Sequence, residues 1–237
     1  MRWFFKYSLS LVYPFAKAIV AVSDGVADDL CGLGGLKRKS ITVISNPVEI
    51  NTDLCPEEEG YRNWKSHRGK KIIAVGALKK EKDYPSLLEA FSLLLTKEDA
   101  YLTILGKGDL LTELKALAVK LEIAERVNFA GFSRKPSAWL AASDLLVLSS
   151  NCEGFGNVLI EAMGVGTPVV STDCKSGPKE ILENGKYGIL VPVGDVSALA
   201  KAMCKSINGK HDKNILKSRA ADFSVDKIAK QYIEAFK

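Results

Sequence analysis

Eight short apolar runs punctuate this chain: Ala18–Val22, Ile41–Ile44, Lys71–Val75, Tyr101–Leu105, Val127–Ala130, Leu145–Leu148, Pro168–Ser171 and Ile189–Pro192. A strand with one wet face alternates apolar and polar residues, and these runs do not alternate. Continuous Val, Ile and Leu strands need cover on both faces, which the amphipathic stretches between them supply as helices. The pattern predicts an α/β fold built on a doubly wound parallel sheet. Helix starts support it. Asp83-Tyr84-Pro85 places a capping acid and an early proline before Leu87, Leu88 and Phe91. Asp109 opens the next helix, whose apolar stripe is Leu110, Leu114 and Leu117.

Residues 49–70 contain Asn51, Asp53, Pro56, three successive glutamates and Gly60, and read as a polar linker. The chain then divides into a lead-in at 1–48, the linker, a doubly wound domain at 71–209 and C-terminal helices at 210–237. The main strands end in glycine or small polar residues: Gly76, Gly106, Gly131, Ser149–Ser150 and Thr172. In open parallel sheets, ligands bind outside the carboxyl ends of strands, so these positions converge on one crevice.

With 237 residues, 47% of them hydrophobic, the chain can bury a real core. Its formal charge of +5 is spread over many lysines rather than one block. That balance suits anionic ligands or an acidic membrane surface and does not single out nucleic acid. The five cysteines are odd in number and scattered, which argues against a disulfide framework or a zinc site and for a reducing compartment. Cys152 reads as a small buried apolar residue, and His67 and His211, in polar stretches, as surface residues. Residues 1–16 are apolar but interrupted by Lys6 and Pro14, too short a run to span a bilayer. An amphipathic helix with Trp3, Phe4, Tyr7 and Leu11 on one side fits, packed on the next domain or resting at a membrane interface.

Between Glu153 and Glu161 the chain reads Glu-Gly-Phe-Gly-Asn-Val-Leu-Ile-Glu, two carboxylates eight positions apart around a glycine loop. Amides freed by Gly154 and Gly156 point out of a helix N-terminus, where an anion is favoured. One strand end thus offers N–H groups for phosphate and two carboxylates as hydroxyl acceptors, a way to hold a nucleotide-linked sugar. Taken alone, the same residues fit two acids that only complement a helix dipole. Gly106-Lys107-Gly108 lacks the third glycine of a dinucleotide fingerprint, which tells against a dehydrogenase or epimerase. Nor is there a D-x-D motif, a Walker A loop, a G-x-S-x-G elbow or an H-E-x-x-H pair.

With its flanks, the segment resembles the E-x7-E signature of retaining glycosyltransferases of family 4, the glycosyl transferases group 1 of the GT-B fold. Val75-Gly76-Ala77-Leu78 with Lys82-Asp83-Tyr84-Pro85 is similar to that family's first strand, loop and helix. Gly106-Lys107-Gly108, then Gly131-Phe132, then Pro168 to Glu180 follow in the family's order, and the resemblance runs from about Ala18 to the last residue. It implies a Rossmann-like donor-binding domain of a hexosyltransferase. The sugar would pass from a UDP-sugar or GDP-sugar to a glycan or lipid-linked acceptor, in bacterial surface polysaccharide synthesis. It further implies no metal or other cofactor, no nucleic acid, and a cytoplasmic place, peripheral on the inner face of the membrane.

By the same resemblance, Glu161 accepts hydrogen bonds from both ribose hydroxyls. Glu153 contacts the transferred sugar, and Lys82 offsets charge on the leaving diphosphate. Gly154, Phe155, Gly156 and Asn157 supply amides to sugar and phosphate oxygens, Gly76 closes the first strand, and Phe132 and Ser133 bring backbone to the base. Two glutamates in such an enzyme are not a glycosidase acid and nucleophile. Two departures stand out. The family's arginine after Gly76 is Ala77 here, leaving Lys79 or Lys80 to substitute without bidentate geometry. The acceptor-binding domain is reduced to what resembles its last helix and strand, Ala18 to Asn46. The rival reading is therefore a non-catalytic nucleotide-sugar-binding module, or a fragment, that needs a partner chain to supply the acceptor domain.

Overall fold

The computed structural model describes residues 11–50 and 59–237. The helix expected over Trp3, Phe4 and Tyr7 lies outside the described residues. A small lobe comes first: β1 (Ile19–Ala21), α1 (Asp24–Gly34) and β2 (Ile41–Val43). Its strands pair in parallel, Val20 opposite Thr42, and Ala27 of α1 is buried with Ile19, Ala21 and Ile41.

Then follows α2 (Glu59–Ser66), inside the stretch expected to be linker. Trp64 there is 1% exposed and donates to Ser143 Oγ at 3.3 Å, while Tyr61 meets the Trp139 ring edge-on at 5.7 Å. Two aromatic side chains spaced one turn apart outweigh the polar residues around them. His67, just after this helix, stacks on Tyr101 at 4.1 Å rather than standing free.

The large unit runs β3 (Lys70–Val75), α3 (Tyr84–Leu95), β4 (Ala100–Leu105), α4 (Leu111–Lys120), β5 (Val127–Gly131) and α5 (Pro136–Ala141). It continues with β6 (Leu145–Leu148), α6 (Asn157–Val165), β7 (Val169–Thr172), α7 (Pro178–Ile181), β8 (Ile189–Val191) and α8 (Val196–Asn208). All six strands are parallel, in the order β5-β4-β3-β6-β7-β8. Side chains leave each strand to alternate faces, and both faces are covered. Ile72 and Ala74 join Leu87 and Phe91 of α3 and Met203 of α8 in one core. Ile73, between them, joins Trp139 of α5 and Ile160 of α6 in the other. That double burial is why the strands read as unbroken apolar runs.

Of the last helices, α9 (Lys213–Ala221) and α10 (Val225–Ala235), α9 closes the second core with Leu216 and Ala220. Arg219 of α9 donates to the carbonyls of Ile181 and Glu180 at 2.9 Å each, and Phe223 meets Phe155 edge-on at 5.8 Å. Among the described residues no helix is long and apolar enough to cross a membrane.

Two capping expectations fail. Asp83 precedes α3 but sits in the left-handed region (φ 46°, ψ 46°) and its carboxylate makes no cap bond. Capping requires an extended backbone that turns the side chain toward the helix amides, and this one does not. α4 begins at Leu111 behind Leu110, two residues past Asp109, again without a side-chain cap.

Candidate functional site

Strand order reverses between β3 and β6, so the loops leaving their carboxyl ends part and open a crevice. Glycines line its floor. Gly76 N–H donates to Leu105 O at 2.9 Å, and Gly106 N–H to Gly131 O at 2.7 Å, so the ends of β3, β4 and β5 lie level.

The loop after β3 carries Lys82 and the loop after β6 carries Glu153. Lys82 Nζ lies 2.5 Å from Glu153 Oε1, with side chains 23% and 11% exposed. Ser150 donates to the same carboxylate oxygen at 2.6 Å, and Ser149 Oγ to Lys82 O at 2.7 Å. Thr172, at the end of β7, donates to Ser150 O at 2.6 Å. Three strand ends thus hold one ion pair in place. Tyr84 is buried beneath it and donates to Gly76 O at 3.0 Å. Burial, and then the nearby Glu153 carboxylate, push its phenol well above the usual tyrosine range.

Two cavities open here and share Ala77 in their walls, and the pair lines the second. The first, about 420 Å³, is lined by Gly76, Leu105, Lys107, Phe132, Ser133 and Glu161 among others. Glu161 is partly buried, makes no hydrogen bond to any described residue, and burial raises its pKa above the usual carboxylate range. A carboxylate desolvated without a partner among the described residues is costly to fold, which makes Glu161 a candidate ligand-binding group. Phe132 presents an exposed ring on the same wall. The second cavity, about 480 Å³, is lined by Lys79, Lys82, Cys152, Glu153, Gly154 and, from the small lobe, Val26 and Asp29. Lys79 reaches it and Lys80 does not, which separates the two candidates for the position of Ala77.

Of the residues expected at the site, Glu161, Gly76, Phe132 and Ser133 share the first cavity, and Lys82, Glu153 and Gly154 the second. Phe155, Gly156 and Asn157 line neither. Gly156 is the N-cap of α6 at φ 100°, a conformation natural to glycine, and it gives the first turn no side-chain cap, although its carbonyl accepts from Leu159 N–H at 3.0 Å. Phe155 turns its ring into the core, and Asn157 Oδ1 accepts from Asn46 at 3.1 Å. Gly177, at φ 91°, is required by contact: a Cβ there would fall 1.7 Å from Phe155 O. Cys152, expected to be buried, is exposed beside Glu153, because the loop after β6 runs along the crevice instead of into the sheet.

Sequence reasoning missed the support that Ser23 gives. Ser23 is fully buried, caps α1 by accepting from Val26 N–H at 3.2 Å, and donates to Gly154 O at 3.2 Å. Asp24 N–H donates to Glu180 Oε2 at 2.9 Å, so the start of α1 holds the glycine loop through Ser23 and α7 through Asp24. Ser before a helical stretch signals the cap, but nothing local signals a contact 131 positions away.

Residues 58–223 match the family model described as Glycosyl transferases group 1. The chain belongs to that family. It is 32% identical over 233 residues to the N-acetylgalactosamine-N,N'-diacetylbacillosaminyl-diphospho-undecaprenol 4-alpha-N-acetylgalactosaminyltransferase of Campylobacter jejuni, covering 97% of this chain and 62% of the relative. It is also 32% identical over 200 residues to the lipopolysaccharide 1,6-galactosyltransferase of Escherichia coli, covering 81% of this chain and 52% of that protein. Among solved structures, the lipopolysaccharide outer core galactosyltransferase WaaB, in its apo form, superposes with a TM-score of 0.76 at 27% identity, over 94% of this chain and 62% of that one. Anabaena HepE in complex with UDP-glucose superposes with a TM-score of 0.84 over 98% of this chain and 67% of that one; at 23% identity the likeness is one of fold. The fold is that of the GT-B glycosyltransferases. The chain therefore spans about three fifths of the Campylobacter relative's length.

Proposed function

We propose that this chain is the donor-binding part of a retaining family 4 glycosyltransferase that uses a UDP-sugar or GDP-sugar. One observation carries the reading: the Glu161 carboxylate, without a partner among the described residues, and the Lys82–Glu153 pair sit in two cavities that meet at Ala77. On this reading the nucleoside lies in the first cavity, with ribose hydroxyls on Glu161 and the base along Phe132 and Ser133. The diphosphate crosses Ala77 to Lys82, and the sugar rests against Glu153 and Gly154. Lys82 exchanges Glu153 for phosphate oxygens, which frees the carboxylate, still held by Ser150, to accept a sugar hydroxyl and face positive charge at the anomeric carbon. The bond from that carbon to the diphosphate breaks as the acceptor oxygen bonds to it, and the acceptor proton passes to the departing phosphate.

The names of the Campylobacter and Escherichia relatives point to a lipid-linked or glycan acceptor and to surface polysaccharide synthesis. A lipid-linked acceptor would bring the chain to a membrane surface. The small lobe holds one helix and a two-stranded sheet, so on this reading residues beyond those described, in an adjoining segment or a partner chain, complete the acceptor site. Calorimetry with UDP, GDP and NAD tests the proposal: binding of UDP or GDP but not NAD is expected, and binding of NAD alone would overturn it.

A further inference from the structure

The second cavity carries three lysines, Lys79, Lys82 and Lys175, against three acids, Asp29, Glu81 and Glu153. Their formal charges cancel. A diphosphate brings several negative charges, so the cavity holds one more strongly when paired cations leave their present partners. Lys82 is paired with Glu153 at 2.5 Å, both largely buried. Lys175, on the loop after β7, is paired with Asp29 of α1, and these side chains are 63% and 48% exposed. Lys79 makes no ion pair to a described residue.

The two pairs differ in what it takes to break them. An exposed ion pair contributes little and leaves Asp29 solvated when it opens. Glu153, by contrast, would lose its cation in a site where water is scarce. Placement agrees. Glu153 follows β6, the strand between β3 and β7 on this side of the sheet, so Lys82 and Lys175 approach the cavity from either side of it. The backbone beneath Lys175 is pinned, since a Cβ on Gly25 of α1 would meet Lys175 O at 2.5 Å and Ser176 Oγ at 2.4 Å. A long flexible side chain thus swings from a fixed base.

We propose that Lys175 is a diphosphate-binding residue held in reserve by Asp29, which surrenders it when the ligand arrives. The assignment rests on the donor-binding reading above and extends it to a residue outside the Glu153–Glu161 motif. Because Asp29 belongs to the small lobe, the exchange also makes diphosphate binding loosen one contact between lobe and sheet.

The test is calorimetry of wild type, Lys175→Ala, Asp29→Asn and the double variant with UDP, GDP, UMP and GMP. Lys175 is exposed and Asp29 partly so, and their ion pair lies at the surface, so the variants fold. Lys175→Ala should weaken the diphosphate about 3- to 10-fold while the monophosphate changes less than about 2-fold. Asp29→Asn should tighten the diphosphate by a similar factor, and that gain should vanish in the double variant, a coupling that a structural role for the pair would not produce. If wild type binds diphosphate and Lys175→Ala binds it equally well, or loses mono- and diphosphate alike, the role of Lys175 is overturned and the donor-binding reading stands. If wild type binds neither UDP nor GDP, both fall.

Discussion

Glu161→Gln should bind nucleotide more weakly and yet fold more stably, and the two effects come from one cause. The Glu161 carboxylate is partly buried without a hydrogen-bond partner among the described residues, and desolvation raises its pKa. The raised value means that folding disfavours the ionised form. Stability linked to this group is therefore fully present below about 4.5, the ordinary value for the side chain, and is lost as pH rises through the higher folded value. At pH 7 the penalty is in force, and an uncharged glutamine of the same shape escapes it. Urea unfolding should show the variant above wild type at pH 7, with the gap closing as pH falls toward 4. Binding moves the other way. Glutamine keeps one acceptor oxygen but loses the charge and the second acceptor toward the ribose hydroxyls. Charge-assisted hydrogen bonds contribute roughly 1.5–3 kcal/mol, so UDP or GDP affinity should drop about 10- to 150-fold. Calorimetry at pH 7 reads this directly. A variant less stable than wild type at pH 7 would show that Glu161 has a partner in the fold, and a stable variant with unchanged affinity would remove it from the site.

Nucleotide binding should persist in EDTA, because Lys82 and the first-turn amides of α6, which no side chain caps, provide the positive charge; affinity lost on chelation and restored by magnesium or manganese would refute that assignment. Gly177→Ala should destabilise the fold by more than ~2 kcal/mol in urea unfolding, since the backbone is left-handed and the new Cβ would collide with Phe155 O; wild-type stability in that variant would contradict the packing described. The isolated chain should transfer little sugar from radiolabelled donor to lipid extracts, because positioning the acceptor supplies much of the rate and the small lobe holds two strands among the described residues. Robust product without any added protein would sink that expectation.

The sheet was legible because its cause is local in sequence. Each of the eight apolar runs coincides with an observed strand, since a residue such as Ile72 or Ile73 faces helices whichever way it points. Glycine after a strand end announced the crevice for a similar reason: Gly76 and Gly106 stand where backbones approach too closely for any side chain on Gly106. Glu153 and Glu161 could be singled out by spacing, but their difference could not. One is paired with Lys82, 71 positions away, and the other lies in a separate cavity with no partner among the described residues. Chain order does not show that β3 lies beside β6; pairing between distant strands decides it, and that pairing carries Lys82 to Glu153. Asp83 read as a helix cap and is not one, because the tight turn that delivers Lys82 forces its backbone left-handed. Trp64 disappears into a core that α5 completes, and Cys152 is exposed beside a crevice that exists only between loops. What the sequence by itself determined is the alternation of strands and helices, because burial acts on each run separately. What only the tertiary structure decided is which loop ends meet, because electrostatic pairing and ligand-sized space arise between residues that strand order, not sequence distance, brings together.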